Sequence, residues 1–300
     1  MSLDSTPAFM KIGVHGKEFN RQSVPFIQLI LELLHQQRVS LFISSKFSRY
    51  LSGSGFRKFQ FNTYEPGESL KKLDALISIG GDGTMLETVT HIGKAETPIL
   101  GINTGRLGFL ATISREETEG ALQALLRKSF SLDSRAMLQL NSTPKVFGTL
   151  NFALNDFTIM KKDTSSMITV HTYIDGALLN SYWADGIIVS TPTGSTGYSL
   201  SCGGPLVFPR SGNFIITPVS PHNLTVRPMV VADSAEITFK VEGRQKKFLV
   251  TLDSRFATVD DTVKLTIRKA GFRVNLIQLG GQSYFKTLRQ KLNWGLDVRN

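Results

Sequence analysis

The run Gly80-Gly81-Asp82-Gly83-Thr84 places one carboxylate among glycines. Glycines there let the chain turn sharply and let a ligand approach the main chain. Amides at the start of a following helix make an anion site suited to phosphate. A carboxylate beside bound phosphate is repelled unless it binds a metal, caps the helix or takes a proton from a nucleophile. All three roles stay open for Asp82 at this point. No Gly-Lys-Ser/Thr ends the loop, and no G-x-G-x-x-G follows the preceding strand, so the two commonest nucleotide fingerprints are absent.

Three further segments carry chemistry. Asn103-Thr104-Gly105-Arg106-Leu107-Gly108-Phe109-Leu110 is a second glycine-bearing loop after an apolar strand. Two such loops after neighbouring parallel strands face one crevice at the strands' carboxyl ends. The alternative is a tight connection whose glycines serve packing alone. Asn155-Asp156 offers an amide donor and carboxylate acceptors, a match for sugar hydroxyls or an amino group, although such pairs also make plain turns. From Ala184 to Ser201 the chain reads ADGIIVSTPTGSTGYSLS. Here a strand ends in a loop crowded with hydroxyls and glycines and then enters a short helix, with Tyr198 placed to pack on a base. His15, His35, His91, His171 and His222 show no ligand spacing, so no resident metal site is expected. A divalent cation, Mg²⁺, is expected to arrive with a nucleotide.

These loops need elements to hold them. From about residue 10 to 125 apolar β-like runs alternate with helical ones. Lys11–His15, Val39–Ser44, Leu73–Ile79 and Pro98–Ile102 read as strands. Ile27, Ile30, Leu31 and Leu34 recur at helical spacing after Ser23, an N-cap, and Pro25. Met85–Ile92 reads as a short helix, and Ser114-Arg-Glu-Glu117 as a capping box opening a helix to about Arg127. That alternation calls for a parallel sheet with helices on its faces. From about 130 to 279 short strands alternate with turns at Asp175-Gly176, Glu242-Gly243 and Ala270-Gly271, and a mostly antiparallel β domain follows. Tyr284–Leu292 returns to helix, with Phe285, Leu288 and Leu292 on one side.

The 300 residues carry 34 Lys and Arg against 24 Asp and Glu, a net charge of +10. The basic residues are scattered, which suits small polyanions such as nucleotides at least as well as nucleic acid. No apolar run reaches the ~18 residues of a membrane span. One cysteine, Cys202, rules out an intrachain disulfide. Together with an N-terminus lacking a signal pattern, it points to a reducing cytoplasm. Met10 is an alternative start, and residues 1–9 are left out of the fold reasoning.

In order and spacing GGDGT, NTGRLGFL, the Asn–Asp pair and DGIIVSTPTGSTGYSLSCGGP resemble bacterial NAD kinases, over essentially the whole chain. GGDGT alone is shared with diacylglycerol, sphingosine and phosphofructokinase-type kinases; the STPTGSTGYSLS string narrows the resemblance. It implies transfer of the γ-phosphoryl of ATP to the 2′-hydroxyl of the adenosine ribose of NAD. Asp82 matches the family's catalytic base and Gly83 a main-chain contact to the dinucleotide. Asn155, Asp156, Asp185, Thr193, Thr196, Gly197, Tyr198 and Ser201 match its NAD-contacting positions. Asp156 stands where many members have Glu, and Gly197 where Ala is common. Gly80, Gly81, Thr84, Asn103 and Gly105 fall to the phosphate loops. Trp183, Val219 and Arg255 stand apart, at positions where this chain departs from the family or its contacts are open. The resemblance also implies a homotetramer with the NAD pocket completed at an interface, which the apolar runs Phe214–Ile216 and Met229–Val231 would suit. The expected organisation is a Rossmann-like α/β domain over 1–112, joined by a returning helix in 280–300, and a β-rich NAD-binding domain over 113–279.

Overall fold

The computed structural model describes residues 10–51, 54–67, 70–162, 166–244 and 246–295. Residues 1–9, including the alternative-start region before Met10, lie outside these. The chain forms two compact units, one comprising the chain up to Asp133 and again from Asn275 onward, the other Ser134–Val274.

The first unit alternates β1 (Lys11–Gly16), α1 (Val24–Gln36), β2 (Ser40–Ser44), α2 (Ser45–Tyr50), β3 (Asn62–Tyr64), β4 (Ala75–Ile79), α3 (Asp82–Ile92), β5 (Ile99–Ile102) and α4 (Thr118–Leu126). The strands pair in parallel in the order β5-β4-β1-β2-β3. The chain therefore winds outward from β1 in one direction, then crosses to β4 and continues in the other. The reversal lies between β1 and β4, where open α/β sheets leave a crevice at their carboxyl ends. Every residue of β4 and β5 is buried, as the near-continuous apolar runs of a doubly covered strand require.

Helix α1 buries Phe26, Ile27, Ile30, Leu31 and Leu34 along one stripe. Truncating Ile30 or Leu31 to Ala costs about 2–5 kcal/mol, the usual range for a filled core position. Ser23 stands at its N-cap but makes no side-chain cap bond. Its hydroxyl donates to Asn20 Oδ1 and accepts from Arg115 instead. The capping box forms as expected, with Ser114 N–H to Glu117 Oε2 and Glu117 N–H to Ser114 Oγ. It closes a turn, and the α-helix proper begins later, at Thr118. Ala121, Leu122 and Leu125 of α4 join the core of the first unit, which is why that unit runs to Asp133 and past the expected boundary at 112.

The second unit contains β6 (Ser131–Thr143, from Ser134), β7 (Phe152–Ala153), β8 (Asp156–Lys161), β9 (Ile168–Ile174), β10 (Ala177–Ala184), β11 (Gly186–Ser190), α5 (Tyr198–Ser201), β12 (Asn213–Val219), β13 (Met229–Ala232), β14 (Ile237–Glu242), β15 (Lys247–Leu252), β16 (Arg255–Asp260) and the larger part of β17 (Lys264–Gln278). One antiparallel sheet runs β13-β12-β11-β8-β15-β16; in the other, β10-β9-β14-β17 are neighbours. A single core cluster takes Phe157, Ile187, Phe214 and Phe248 from the first sheet and Val170, Phe239 and Ile267 from the second. The two sheets thus close a sandwich on each other.

The Asp175-Gly176 turn joins β9 to β10 with both residues at positive φ, 49° and 82°, the requirement of a two-residue hairpin of this hand. The other two expected turns differ. Glu242-Gly243 leads from β14 to β15, which lie in different sheets. Ala270-Gly271 is no turn, because β17 runs unbroken through it and keeps Ala270 and Phe272 inward. The C-terminal helix α6 (Tyr284–Leu292) belongs to the first unit and donates Lys291 Nζ to Leu107 O at 2.5 Å. Of its three apolar residues only Leu288 is buried; Phe285 and Leu292 are exposed. Among the described residues no helix is long and apolar enough to cross a membrane.

Candidate active site

The GGDGT loop leaves β4 at the switch point. Gly80 has φ +153°, and a Cβ there would run into the Thr84 side chain, so glycine is required. Gly81 is the N-cap of α3, and the helix starts at Asp82, three residues before the expected start at Met85. Its first-turn amides therefore belong to the loop, the geometry that binds anions.

Asp82 does not cap its own helix. Its carboxylate reaches across to the second glycine loop. Oδ2 accepts the N–H of Phe109 at 2.9 Å, and Oδ1 accepts those of Leu110 at 2.9 Å and Ala111 at 3.1 Å. Gly108 lets the loop come this close, since a Cβ there would overlap the Asp82 carboxylate. A carboxylate holds about four acceptor sites, so Oδ2, with one bond, keeps capacity for a substrate hydroxyl. Thr84 is buried under Gly80, and the Gly83 carbonyl accepts from Lys17 Nζ at 3.3 Å.

Asn103 is buried and works inside its own loop. Its amide donates to Arg106 O at 2.6 Å, and its Oδ1 accepts Gly105 N–H at 2.6 Å. Its side chain therefore shapes the loop, while Gly105 stays exposed. The two glycine loops are one structure, held by Asp82 and Asn103.

In the second unit the Asn–Asp pair sits at the start of β8, against the hydroxyl-rich loop. Thr191 N–H donates to Asn155 O at 2.8 Å, and Thr191 Oγ1 donates to Leu154 O at 2.5 Å. Gly194 packs so closely that a Cβ would overlap the Asn155 carbonyl. Thr193 is buried and accepts from Arg135 Nη1 at 3.2 Å, while Thr196 Oγ1 donates to Thr193 O at 3.3 Å. At Gly197 a Cβ would meet the Gly194 carbonyl at 3.2 Å, a tight contact without overlap. Tyr198 and Ser201 are exposed at the far end of the loop. Asn155 Oδ1 is buried without a hydrogen-bond partner, a cost a ligand's N–H or O–H relieves. Burial, with the Asp253 charge second, raises the Asp156 carboxyl to about 7.

Sequence reasoning passed over Asp253. Its carboxylate accepts three successive main-chain N–H groups, from Leu154 at 2.9 Å, Asn155 at 2.8 Å and Asp156 at 3.2 Å. Burial still pushes its own carboxyl upward against those bonds. The only local signal is an Asp-Ser turn between β15 and β16; nothing near it announces a partner about a hundred positions earlier.

The remaining candidates divide. Asp185 Oδ1 pairs with Lys161 Nζ at 2.6 Å. Trp183 is 46% exposed and stacks at a tilt on His222, centroids 4.3 Å apart. Val219 is buried and takes the Asp185 N–H on its carbonyl. Arg255 donates to Leu150 O and Phe152 O and lies over the Phe152 ring, so it braces the strand before Asn155. Contrary to the expectation from spacing, the fold brings His15, Glu87 and His91 together.

An anion-binding loop with a tethered carboxylate, and a separate hydroxyl-lined loop beside an unpaired amide oxygen, is the equipment of a phosphotransferase acting on a polar substrate. Family comparison agrees. Residues 32–130 match the ATP-NAD kinase N-terminal domain and residues 154–279 the ATP-NAD kinase C-terminal domain. The chain is 53% identical over 292 residues to an NAD kinase of Cytophaga hutchinsonii, covering 97% of this chain and all of that one. It is 47% identical to an NAD kinase of Flavobacterium psychrophilum, with the same coverages. Among solved structures, the yeast NADH kinase complexed with NADH shares the fold, at TM-score 0.83 and 21% identity, covering 97% of this chain and 89% of that one. An NAD kinase from Archaeoglobus fulgidus in complex with ATP gives TM-score 0.68 at 26% identity, covering 95% and 99%. This chain belongs to the NAD kinase family and is a kinase.

Proposed function

We propose that the chain transfers the γ-phosphoryl of ATP to the 2′-hydroxyl of the adenosine ribose of NAD, with Asp82 as general base. A ribose hydroxyl is a poor nucleophile at neutral pH and needs a base within hydrogen-bond reach. Asp82 Oδ2 accepts the hydroxyl proton as the new O–P bond forms and the bond to the β-phosphate oxygen breaks, releasing ADP. The observation that carries this role is the tether to the amides of Phe109, Leu110 and Ala111, which holds the carboxylate in one rotamer at the switch point. Positioning of that kind is most of what phosphoryl transfer asks of a protein. Gly80, Gly81, Gly83 and Thr84 form the phosphate loop, with Gly105 and the Asn103-shaped turn beside it.

Asn155 and Asp156 take the polar edge of the dinucleotide, supported by the buried, unpartnered Asn155 Oδ1. Thr193, Thr196, Gly197, Tyr198, Ser201 and Asp185 complete that surface. The Asp82 carboxylate, whose Oδ2 takes one of its three amide bonds and keeps open acceptor sites beside the phosphate loop, fits a divalent cation carried on the nucleotide. Bound with the nucleotide, Mg²⁺ would supply charge neutralisation for the transferring phosphoryl group.

The protein works in the cytoplasm as a homotetramer, a neighbouring copy completing the NAD pocket through Asp185. Phe214–Ile216 give no support to that assembly, since all three are buried within the chain. Met229 and Val230, 42% and 46% exposed, do. The deciding assay incubates the protein with ATP, Mg²⁺ and NAD and measures NADP. Absence of NADP with folded protein refutes the reading. Light scattering during size exclusion tests the assembly, and an active single-chain particle refutes the shared pocket.

A further inference from the structure

Three side chains that the phosphoryl transfer leaves unused converge in the first unit. His15 lies near the end of β1. Glu87 and His91 are four residues apart on α3 and so share a face. One ligand atom from each lies within 4.8 Å of the other two. His15 is fully buried and His91 is 3% exposed. His15 Nε2 and His91 Nδ1 are both buried without a hydrogen-bond partner. Unpaired buried polar atoms are rare in native proteins and call for an explanation such as a bound ion or water.

The surroundings orient the rings for a cation. His15 Nδ1 is 2.8 Å from Ser44 Oγ. With the Nδ1 proton donated to Ser44, Nε2 carries a lone pair 3.8 Å from Glu87 Oε1. A ligating histidine has its outer nitrogen pinned in this way. The two imidazoles stack at a tilt with centroids 4.2 Å apart, and the Tyr64 ring sets its edge against His91.

We propose that His15, Glu87 and His91 form a binding site for one divalent transition-metal cation of the zinc class, with water as the fourth ligand. Two imidazole nitrogens and one carboxylate oxygen suit Zn²⁺ or Co²⁺, whereas Mg²⁺ prefers an all-oxygen shell. Bonds of about 2.0–2.1 Å in a tetrahedral site set neighbouring ligands roughly 3.3–3.5 Å apart, so small rotations of these side chains close the shell. Glu87 is also held by Lys46 at 2.7 Å and Lys17 at 3.5 Å. Both lysines are nearly half exposed, so their ammonium groups turn out to water when the cation takes the carboxylate. Once occupied, the site ties β1 to the helix that begins with Asp82.

The test uses chelator-treated full-length protein without nucleotide, titrated with Co²⁺ and then with Zn²⁺. The expected result is a visible Co²⁺ absorption of four-coordinate type that saturates at one equivalent per chain and is abolished by Zn²⁺. His91→Gln and Glu87→Gln, each checked for folding by circular dichroism, weaken Co²⁺ binding by at least about 10²-fold, more than the loss of an outer-shell partner brings. His35→Gln, outside the cluster, leaves it unchanged. If His91→Gln does not fold, Glu87→Gln decides alone. Absence of a stoichiometric Co²⁺ band in folded wild type overturns the proposal, and so does a band that a folded Glu87→Gln variant retains at full affinity.

Discussion

Asp253 holds Asn155 by its main chain: the carboxylate of one accepts the N–H of the other at 2.8 Å, and the flanking amides of Leu154 and Asp156 on the same two oxygens. Asp253 sits at φ +52° in the tight turn between β15 and β16. In that left-handed conformation, which Asp tolerates more readily than most residues, its carboxylate meets the main chain at the start of β8. The pair proposed to bind dinucleotide thus owes its shape to a residue that needs no ligand contact.

Asp253→Ala leaves three amides without acceptors. Each costs on the order of 1–3 kcal/mol if water cannot reach it, so a clear fall in the urea midpoint is expected, with weaker NAD binding by calorimetry. Full stability with unchanged NAD affinity would show the turn to be dispensable.

Asp82→Asn removes the proton acceptor while keeping the side chain's shape. Turnover falls ~10²–10⁴-fold, the range for loss of a general base. The amide also places an NH2 group toward one of the Phe109–Ala111 amides, so a modest stability loss accompanies it. Calorimetry with ATP separates the two effects: retained ATP affinity with lost turnover assigns the loss to chemistry, and near-normal turnover leaves Asp82 as a loop tether.

Asp156 titrates near neutrality. Its folded value, about 7, lies above the ordinary value of 3.8, so the native state favours the protonated form. Stability from this group is therefore fully present below pH ~4 and is lost as the pH rises through about 7. Relative to wild type, Asp156→Asn gains stability across that window, read from urea unfolding at several pH values. In wild type, NAD affinity rises as the pH passes through about 7 and the folded carboxyl ionises to become an acceptor. A flat wild-type profile contradicts the assignment.

The two glycines of the hydroxyl loop separate by sterics. Gly194→Ala drives a methyl into the Asn155 carbonyl, main chain on both sides. Overpacking of that kind costs typically ~1–3 kcal/mol, and NAD binding falls with it. Gly197→Ala meets a carbonyl at 3.2 Å rather than 2.2 Å and keeps a negative φ of −99°, so activity and melting temperature fall less than for Gly194→Ala. Equal effects from the two substitutions would mean that the loop is not packed as described.

Local pattern determined much of this protein. The apolar runs at Leu73–Ile79 and Pro98–Ile102 read as buried strands, the spacing from Ile27 to Leu34 as a helix, and Asp175-Gly176 as a two-residue hairpin. Each is a short-range rule, and each survives in the structure within a residue or two. The motif order likewise placed the glycine loops after parallel strands and the hydroxyl loop in the β-rich half.

Long-range relationships were decided by the tertiary structure alone. Whether Asp82 capped its helix or faced another loop turned on an approach by residues 109–111 that Gly108 permits. Asp253 and Asn155, and likewise His15 and Glu87, meet only because strand order makes neighbours of segments far apart in the chain. Ala270-Gly271 read as a turn, since glycine is a turn former everywhere; the strand continued because Ala270 and Phe272 had a core to fill. Local propensity is worth tenths of a kcal/mol to about 1 kcal/mol per residue. Burying one large apolar side chain is worth about 1.5–3 kcal/mol, and at such positions packing overrides the local signal.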